Sequence, residues 1–244
     1  MTRGYLYVIF GEDYLIPAHE SIKYLKKVTN YPICVITNIK NLDLDVDCIT
    51  TLNMNTDENR IVRTQAINYS PFGQTLMIDV DSIPISRKIH SLFENLNTYD
   101  FGFQKVKEYT NQVARIYGYT MYKTQTTTPL TAYSGGVIFF NKSEKCVNFF
   151  NLWHKYWGIT GSGRDMPSLA CAIKNSPNIT FFQVDHCIDR EITVDTIIFH
   201  AYGEHDKTVI PTFKKNKPFD ERGDLFEMIP VRENQILTYN PLEY

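Results

Sequence analysis

Leu76-Met77-Ile78-Asp79-Val80-Asp81-Ser82-Ile83-Pro84 is the stretch whose reading decides the fold. Its apolar lead-in predicts a strand over 76–81, buried on both faces as in a parallel sheet. Asp79 and Asp81 stand at i and i+2, so an extended backbone sends both carboxylates to one face. Two such groups at a strand end can hold a hard or borderline divalent cation such as Mn²⁺ or Mg²⁺. The same pair also reads as an acidic turn after a strand. The rest of the chain has to separate the two.

On the N-terminal side, Tyr5-Leu6-Tyr7-Val8-Ile9-Phe10 is an aromatic and β-branched run that stops at Gly11, and it predicts a first strand. Apolar and lysine positions over 19–28 alternate at helical spacing, and Ile33-Cys34-Val35-Ile36-Thr37 is a second strand. Strand, helix and strand in about thirty residues make a βαβ unit and argue for a largely parallel sheet. A short strand over 48–52 and a helix over 58–69 then lead to the acidic stretch. In open α/β sheets ligands gather beyond the carboxyl ends of the strands, which is where Asp79 and Asp81 would lie.

On the C-terminal side, a helix over 89–96 and a strand over 101–103 precede a segment, 105–131, whose pattern dissolves into Tyr, Thr, Lys and Gln. It reads as a long irregular loop. Tyr133-Ser134-Gly135-Gly136-Val137-Ile138-Phe139-Phe140-Asn141 is a glycine pair followed by an apolar strand. Helices over 145–157 and 165–174 follow, the second with Pro167 in its first turn. Late strands over 181–184 and 196–199 come next, and the second runs into His200-Ala201-Tyr202-Gly203. A cluster of Lys214, Lys215 and Lys217 opens a mixed-charge tail.

Composition narrows the function classes. The chain has 244 residues, 43% hydrophobic and 21% charged, with a formal net charge of −2. A pI near 6.3 offers no overall basic field for nucleic acid or anionic membrane. No apolar run reaches the ~20 residues of a membrane span. The five cysteines include no C-x-x-C pair, and several lie in apolar runs as small hydrophobes. With no apolar leader after Met1, these features give a reducing, cytoplasmic location as the expectation. There is no P-loop, no G-x-G-x-x-G, no H-E-x-x-H and no G-x-S-x-G, which removes the commonest NTPase, dinucleotide, zinc-protease and serine-hydrolase readings.

Four further groups carry candidate chemistry. Arg60 and Arg63, one helical turn apart, could grip a diphosphate with guanidinium forks, or simply face solvent. His200 ends an apolar strand and could add an imidazole to the two carboxylates, or be a hydrogen-bonded core histidine. Asp165 opens a helix, where it could cap the N-terminus or meet a sugar at the reaction centre. Ser134-Gly135-Gly136 could let a ligand approach the backbone, or permit a tight turn.

The order of these pieces resembles a GT-A nucleotide-diphospho-sugar glycosyltransferase, most closely the retaining glycogenin and lipopolysaccharide galactosyltransferase-like group. The resemblance spans about 5–207. It implies an α/β fold, a GT-A (Rossmann-like) single domain with a mostly parallel central sheet flanked by helices. The domain would cover 1–210, with a donor half over 1–104 and an acceptor-side half over 105–210, and the 211–244 tail would pack on it. The family's D-x-D matches Asp79 and Asp81, and its late histidine matches His200. These three would bind Mn²⁺ (or Mg²⁺), with Asp79 also near the ribose. Tyr14 resembles the tyrosine that stacks on the base, and Gly11 stands where the family has an aspartate. Gly203 and Lys207 resemble the H-x-x-G stretch and its following lysine. Asp165-Met166-Pro167 resembles D-Q-[DP], with methionine in place of glutamine, and assigns Asp165 to the donor sugar near the reaction centre. Ser134 stands in the family's N-[AS]-G-V loop beside Gly135 and Gly136.

The function so implied is a metal-dependent transfer of a hexose from a nucleotide-diphosphate sugar, UDP-hexose first, to an acceptor hydroxyl with retention. A glycan, a protein side chain, a lipid-linked sugar or a modified DNA base would each serve as acceptor. A sugar-1-phosphate nucleotidyltransferase and a non-catalytic nucleotide or carbohydrate binder are the alternatives.

Overall fold

Arg3–Ile9 forms β1 because its residues serve two interiors at once. Tyr5, Tyr7 and Ile9 point into one apolar cluster, while Leu6 and Phe10, with Val8 partly buried beside them, point into another. A strand buried on both faces needs helices on both faces, and that requirement sets the architecture. The computed structural model describes residues 2–106, 111–127, 130–160, 165–184, 188–189, 196–200, 226–229 and 238–241. Over 111–116, 188–189, 226–229 and 238–241 the description is of the backbone.

After β1 come α1 (Leu15–Val28), β2 (Ile33–Thr37), β3 (Cys48–Thr51), α2 (Asn59–Arg63), α3 (Ala66–Tyr69) and β4 (Gln74–Ile78). A short β5 (Ser82–Pro84), α4 (Ile89–Glu94), β6 (Phe101–Lys105), α5 (Asn111–Thr124) and β7 (Tyr133–Asn141) follow. The chain continues through α6 (Glu144–Thr160), α7 (Asp165–Lys174), β8 (Phe181–Gln183), β9 (Ile188–Asp189) and β10 (Ile198–His200). In the tail, β11 (Phe226–Ile229) and β12 (Thr238–Pro241) pair antiparallel.

Among the described residues the main sheet has seven strands in the order β3-β2-β1-β4-β7-β6-β8. Four neighbouring pairs are parallel, and β7 runs against both β4 and β6. This is the mixed α/β, mostly parallel sheet that the βαβ pattern predicts, in the GT-A-type arrangement that the family resemblance implies. Helices α1 and α4 cover one face, and α2, α3, α6 and α7 cover the other. A smaller sheet, β5-β10-β9, lies against α1.

Several elements differ from the sequence expectation. The helix expected over 58–69 is two pieces, because Thr64 Oγ1 donates to the Ile61 carbonyl at 2.6 Å and competes with the helical ladder. The irregular loop expected over 105–131 contains α5. Its tyrosines and threonines are weak helix formers, but Tyr117 packs with Ala170 and Cys171 of α7, and that burial supplies what propensity lacks. The strand expected over 76–81 ends at Ile78. Cys34 and Cys48 are not independent small hydrophobes: they are register partners on β2 and β3, Cα atoms 4.6 Å apart, and are disulfide-bonded. The pair withdraws the support that cysteine usage lent to a reducing compartment. Cys146 and Cys171 are buried free thiols. Among the described residues no helix is long and apolar enough to cross a membrane.

Candidate functional site

The antiparallel strand β7 builds the site. Because it runs against β4, its beginning lies beside the end of β4, with Ile78 opposite Val137. One step further the Asp79 amide donates to the Gly136 carbonyl at 2.8 Å, so the acidic pair and the glycine pair meet. Asp79 and Asp81 do not share a face through strand periodicity. The chain turns at them, closed by the Ser82 amide donating to the Asp79 carbonyl at 3.0 Å. The turn leads into β5, and β10 pairs with β5 so that His200 stands opposite Ser82. His200 thereby reaches Asp81, with Nε2 3.5 Å from Oδ1. Asp79, Asp81 and His200 each offer a ligand atom, and these atoms lie within 4.8 Å of one another.

Two carboxylates and an imidazole form a donor set that suits a borderline divalent ion. The charge balance points the same way. Asp165, at the first turn of α7, brings a third carboxylate against Gly135, and its Oδ2 lies 3.4 Å from Arg63 Nε. Arg63 also donates from Nη1 to Asp79 and from Nη2 to the Gly135 carbonyl. Leaving His200 aside, one guanidinium faces three carboxylates among the described residues, an excess that a divalent cation would neutralise. Burial pushes the Asp79 carboxyl up to about 6, Arg63 opposes this, and Asp81 and Asp165 add to it. Burial disfavours the charge of Arg63, but Asp79, Asp165 and Asp81 outweigh it and hold the guanidinium ionised.

The glycines are where side chains would collide. A Cβ on Gly136 would lie 2.8 Å from His200 Cε1 and 3.0 Å from Asp79 Oδ2. On Gly135 it would lie 2.7 Å from Asp165 Oδ2. Ser134 is buried, and its Oγ accepts the Gly136 amide at 3.1 Å, which braces the backbone at the start of β7.

The residues singled out in the sequence thus fall into groups. Asp79, Asp81, Asp165, His200, Arg63, Ser134, Gly135 and Gly136 gather in one place. Arg60 is exposed on α2, and Tyr14 closes the short turn before α1, partly buried against the α1-side core. Gly203 and Lys207 lie outside the described residues, as do Lys214, Lys215, Lys217 and most of the tail.

Sequence reasoning missed the supports of Asp165. Trp153, read as part of an aromatic helix, donates from Nε1 to the Asp165 carbonyl at 3.2 Å, and Ser168 Oγ donates to the same carbonyl at 2.8 Å. It also missed Asn38, which directly follows β2. Asn38 accepts the Gly11 amide at 3.0 Å and donates to the Met54 carbonyl at 3.2 Å, joining the carboxyl ends of neighbouring strands. Gly11 itself has φ 91°, the region that favours glycine. Neither a tryptophan in an apolar helix nor a lone asparagine after a strand carries a signal for these roles.

No protein-family model matches the chain, and no curated protein matches it in sequence. Among solved structures, mouse xyloside xylosyltransferase 1 in its apo form is similar, with a TM-score of 0.55. The match covers 84% of this chain and 99% of that one at 10% sequence identity. At that identity the likeness is one of fold.

Proposed function

We propose that the chain is a metal-dependent glycosyltransferase that moves a hexose from a nucleotide-diphosphate sugar, with UDP-hexose as the first candidate, to an acceptor hydroxyl with retention. The observation that carries this reading is the convergence of Asp79, Asp81 and His200, from two distant parts of the chain, beside Asp165.

In this reading Asp79, Asp81 and His200 hold Mn²⁺ or Mg²⁺. The ion would supply positive charge to the diphosphate as the bond from the anomeric carbon to its oxygen breaks. Asp165 faces the sugar and stabilises the positive charge that develops there. Gly135 and Gly136 let Asp165, Asp79 and His200 close in on the backbone on the donor's side, and Ser134 braces that backbone. Arg63 draws Asp79 and Asp165 together on the side of the diphosphate. Tyr14, Gly203 and Lys207 are assigned to the nucleotide and its phosphates on the family resemblance, and Arg60 on the match of a guanidinium to a diphosphate. The segment that includes α5 and the chain beyond 210 are assigned to the acceptor side, whose substrate is open among glycan, protein, lipid-linked sugar and modified DNA base.

The test is UDP-sugar turnover by the purified full chain with and without Mn²⁺. Turnover should need the metal and be lost in Asp81→Asn. Metal-independent turnover that survives the substitution overturns the reading. Tight UDP binding without turnover on any acceptor reduces the protein to a binder. Supplying radiolabelled UDP-sugar to a lysate, then separating nucleic acid, protein and lipid, assigns the acceptor class.

A further inference from the structure

Helix α1 buries six positions, and one of them is a serine. Ser21 is fully buried, which for a hydroxyl is costly unless it is hydrogen-bonded. Its Oγ donates to the Ser82 carbonyl at 2.9 Å and lies 2.9 Å from the Tyr7 hydroxyl. A carbonyl cannot donate, so the single serine proton goes to Ser82. The Tyr7 hydroxyl must therefore be the donor to Ser21. Tyr7 on β1 and Ser82 on β5 are also fully buried. Burial holds the Tyr7 phenol well above its ordinary range, so it stays a donor. The result is a directed chain, Tyr7 to Ser21 to Ser82, that runs from β1 through α1 to the small sheet.

Where it ends is what gives it a role. Ser82 follows Asp81 directly, its amide closes the turn on the Asp79 carbonyl, and it is the register partner of His200. One backbone unit thus touches the placement of all three candidate ligands, and Ser21 holds that unit from outside the site.

We propose that Ser21 and Tyr7 are positioning residues for the divalent-cation site, acting through the Ser82 backbone and touching neither ion nor substrate. The inference rests on the cation site of the proposed function but not on transfer. Neighbours that orient metal ligands typically contribute about 10–100-fold to affinity. Ser21→Ala removes the bond to Ser82. Tyr7→Phe leaves that bond in place and removes its upstream donor.

Mn²⁺ binding to the full chain is measured by electron paramagnetic resonance, beside far-UV circular dichroism and a thermal melt for each variant. Ser21→Ala should bind Mn²⁺ about 10-fold more weakly or worse. Tyr7→Phe should show a smaller loss, and the double variant no more than Ser21→Ala alone, as expected of residues acting in series. Asp100→Asn, at the opposite end of the sheet, should lower stability and keep wild-type Mn²⁺ affinity. Wild-type affinity in both Ser21→Ala and Tyr7→Phe overturns the proposal, as does an equal loss in Asp100→Asn. Should Ser21→Ala fail to fold, wild-type affinity in Tyr7→Phe alone overturns it. Absence of Mn²⁺ binding to the wild-type chain removes the cation site and this proposal together. Mn²⁺ binding with the expected variant pattern but no sugar transfer removes only the transferase reading.

Discussion

At the scale of single residues the site is organised by what is missing as much as by what is present. Gly136 has no Cβ, and that absence lets His200 and Asp79 approach the same backbone. Gly136→Ala places a methyl group 2.8 Å from His200 Cε1, closer than van der Waals contact allows, so one ligand must move. Mn²⁺ affinity should fall by about 10–100-fold, checked by calorimetry. Gly135→Ala presses on Asp165 instead, 2.7 Å from Oδ2. It should lower turnover while leaving Mn²⁺ affinity near wild type, and kinetics beside the binding measurement separate the two glycines. Arg63 shows the same economy. Each of its three guanidinium nitrogens meets a different partner, two by hydrogen bonds and Nε by an ion pair, a spread that lysine cannot reproduce.

At the scale of elements, the sheet beyond β7 is tied by one carboxylate. Asp100, just before β6, accepts from Lys145 Nζ of α6 at 2.5 Å. It also accepts from the Thr180 amide at 2.7 Å and the Thr180 hydroxyl at 2.9 Å, just before β8. Burial pushes this carboxyl up, but the Lys145 and Thr180 hydrogen bonds outweigh it and hold Asp100 below the usual carboxylate range. The sign of the pH effect follows. A depressed carboxylate binds fewer protons folded than unfolded, so its stabilisation is complete above an unfolded pKa of about 3.9 and is lost as pH falls through the lower folded value. Asp100→Asn should be destabilised by about 1–3 kcal/mol at neutral pH. Its stability should fall less steeply than wild type below about pH 4. Urea titrations across pH check both, and parallel acid limbs contradict the assignment.

At the scale of the whole molecule, the candidate cation site joins Asp79 and Asp81, just past the end of β4, to His200 at the end of β10. An ion held there binds the folded state alone, so its affinity appears as stability. At about 100 times the dissociation constant, Mn²⁺ should add about 2.7 kcal/mol. In a thermal melt the midpoint should rise with Mn²⁺, return with a chelator, and stay put in Asp81→Asn. A wild-type midpoint indifferent to Mn²⁺ contradicts the site.

The sequence by itself determined the strands and helices whose periodicity is one-sided or doubly buried: β1, β2, β7, α1, α6 and α7 are all legible in it. It determined the layered α/β class, and it held the acidic pair, Asp165 and His200 as candidates. It misread α5, because the packing that stabilises that helix is on α7 and not in its own residues. It also placed the acidic pair on a strand, where the chain in fact turns. Only the tertiary structure decided that β7 runs against β4, that β10 pairs with β5 opposite Ser82, and that Arg63 joins Asp79 to Asp165. The physical reason is that residue patterns record which faces are buried, whereas which strand lies next to which is settled by pairings between distant segments. The Leu76–Pro84 stretch supplies two carboxylates, and those pairings supply the histidine beside them.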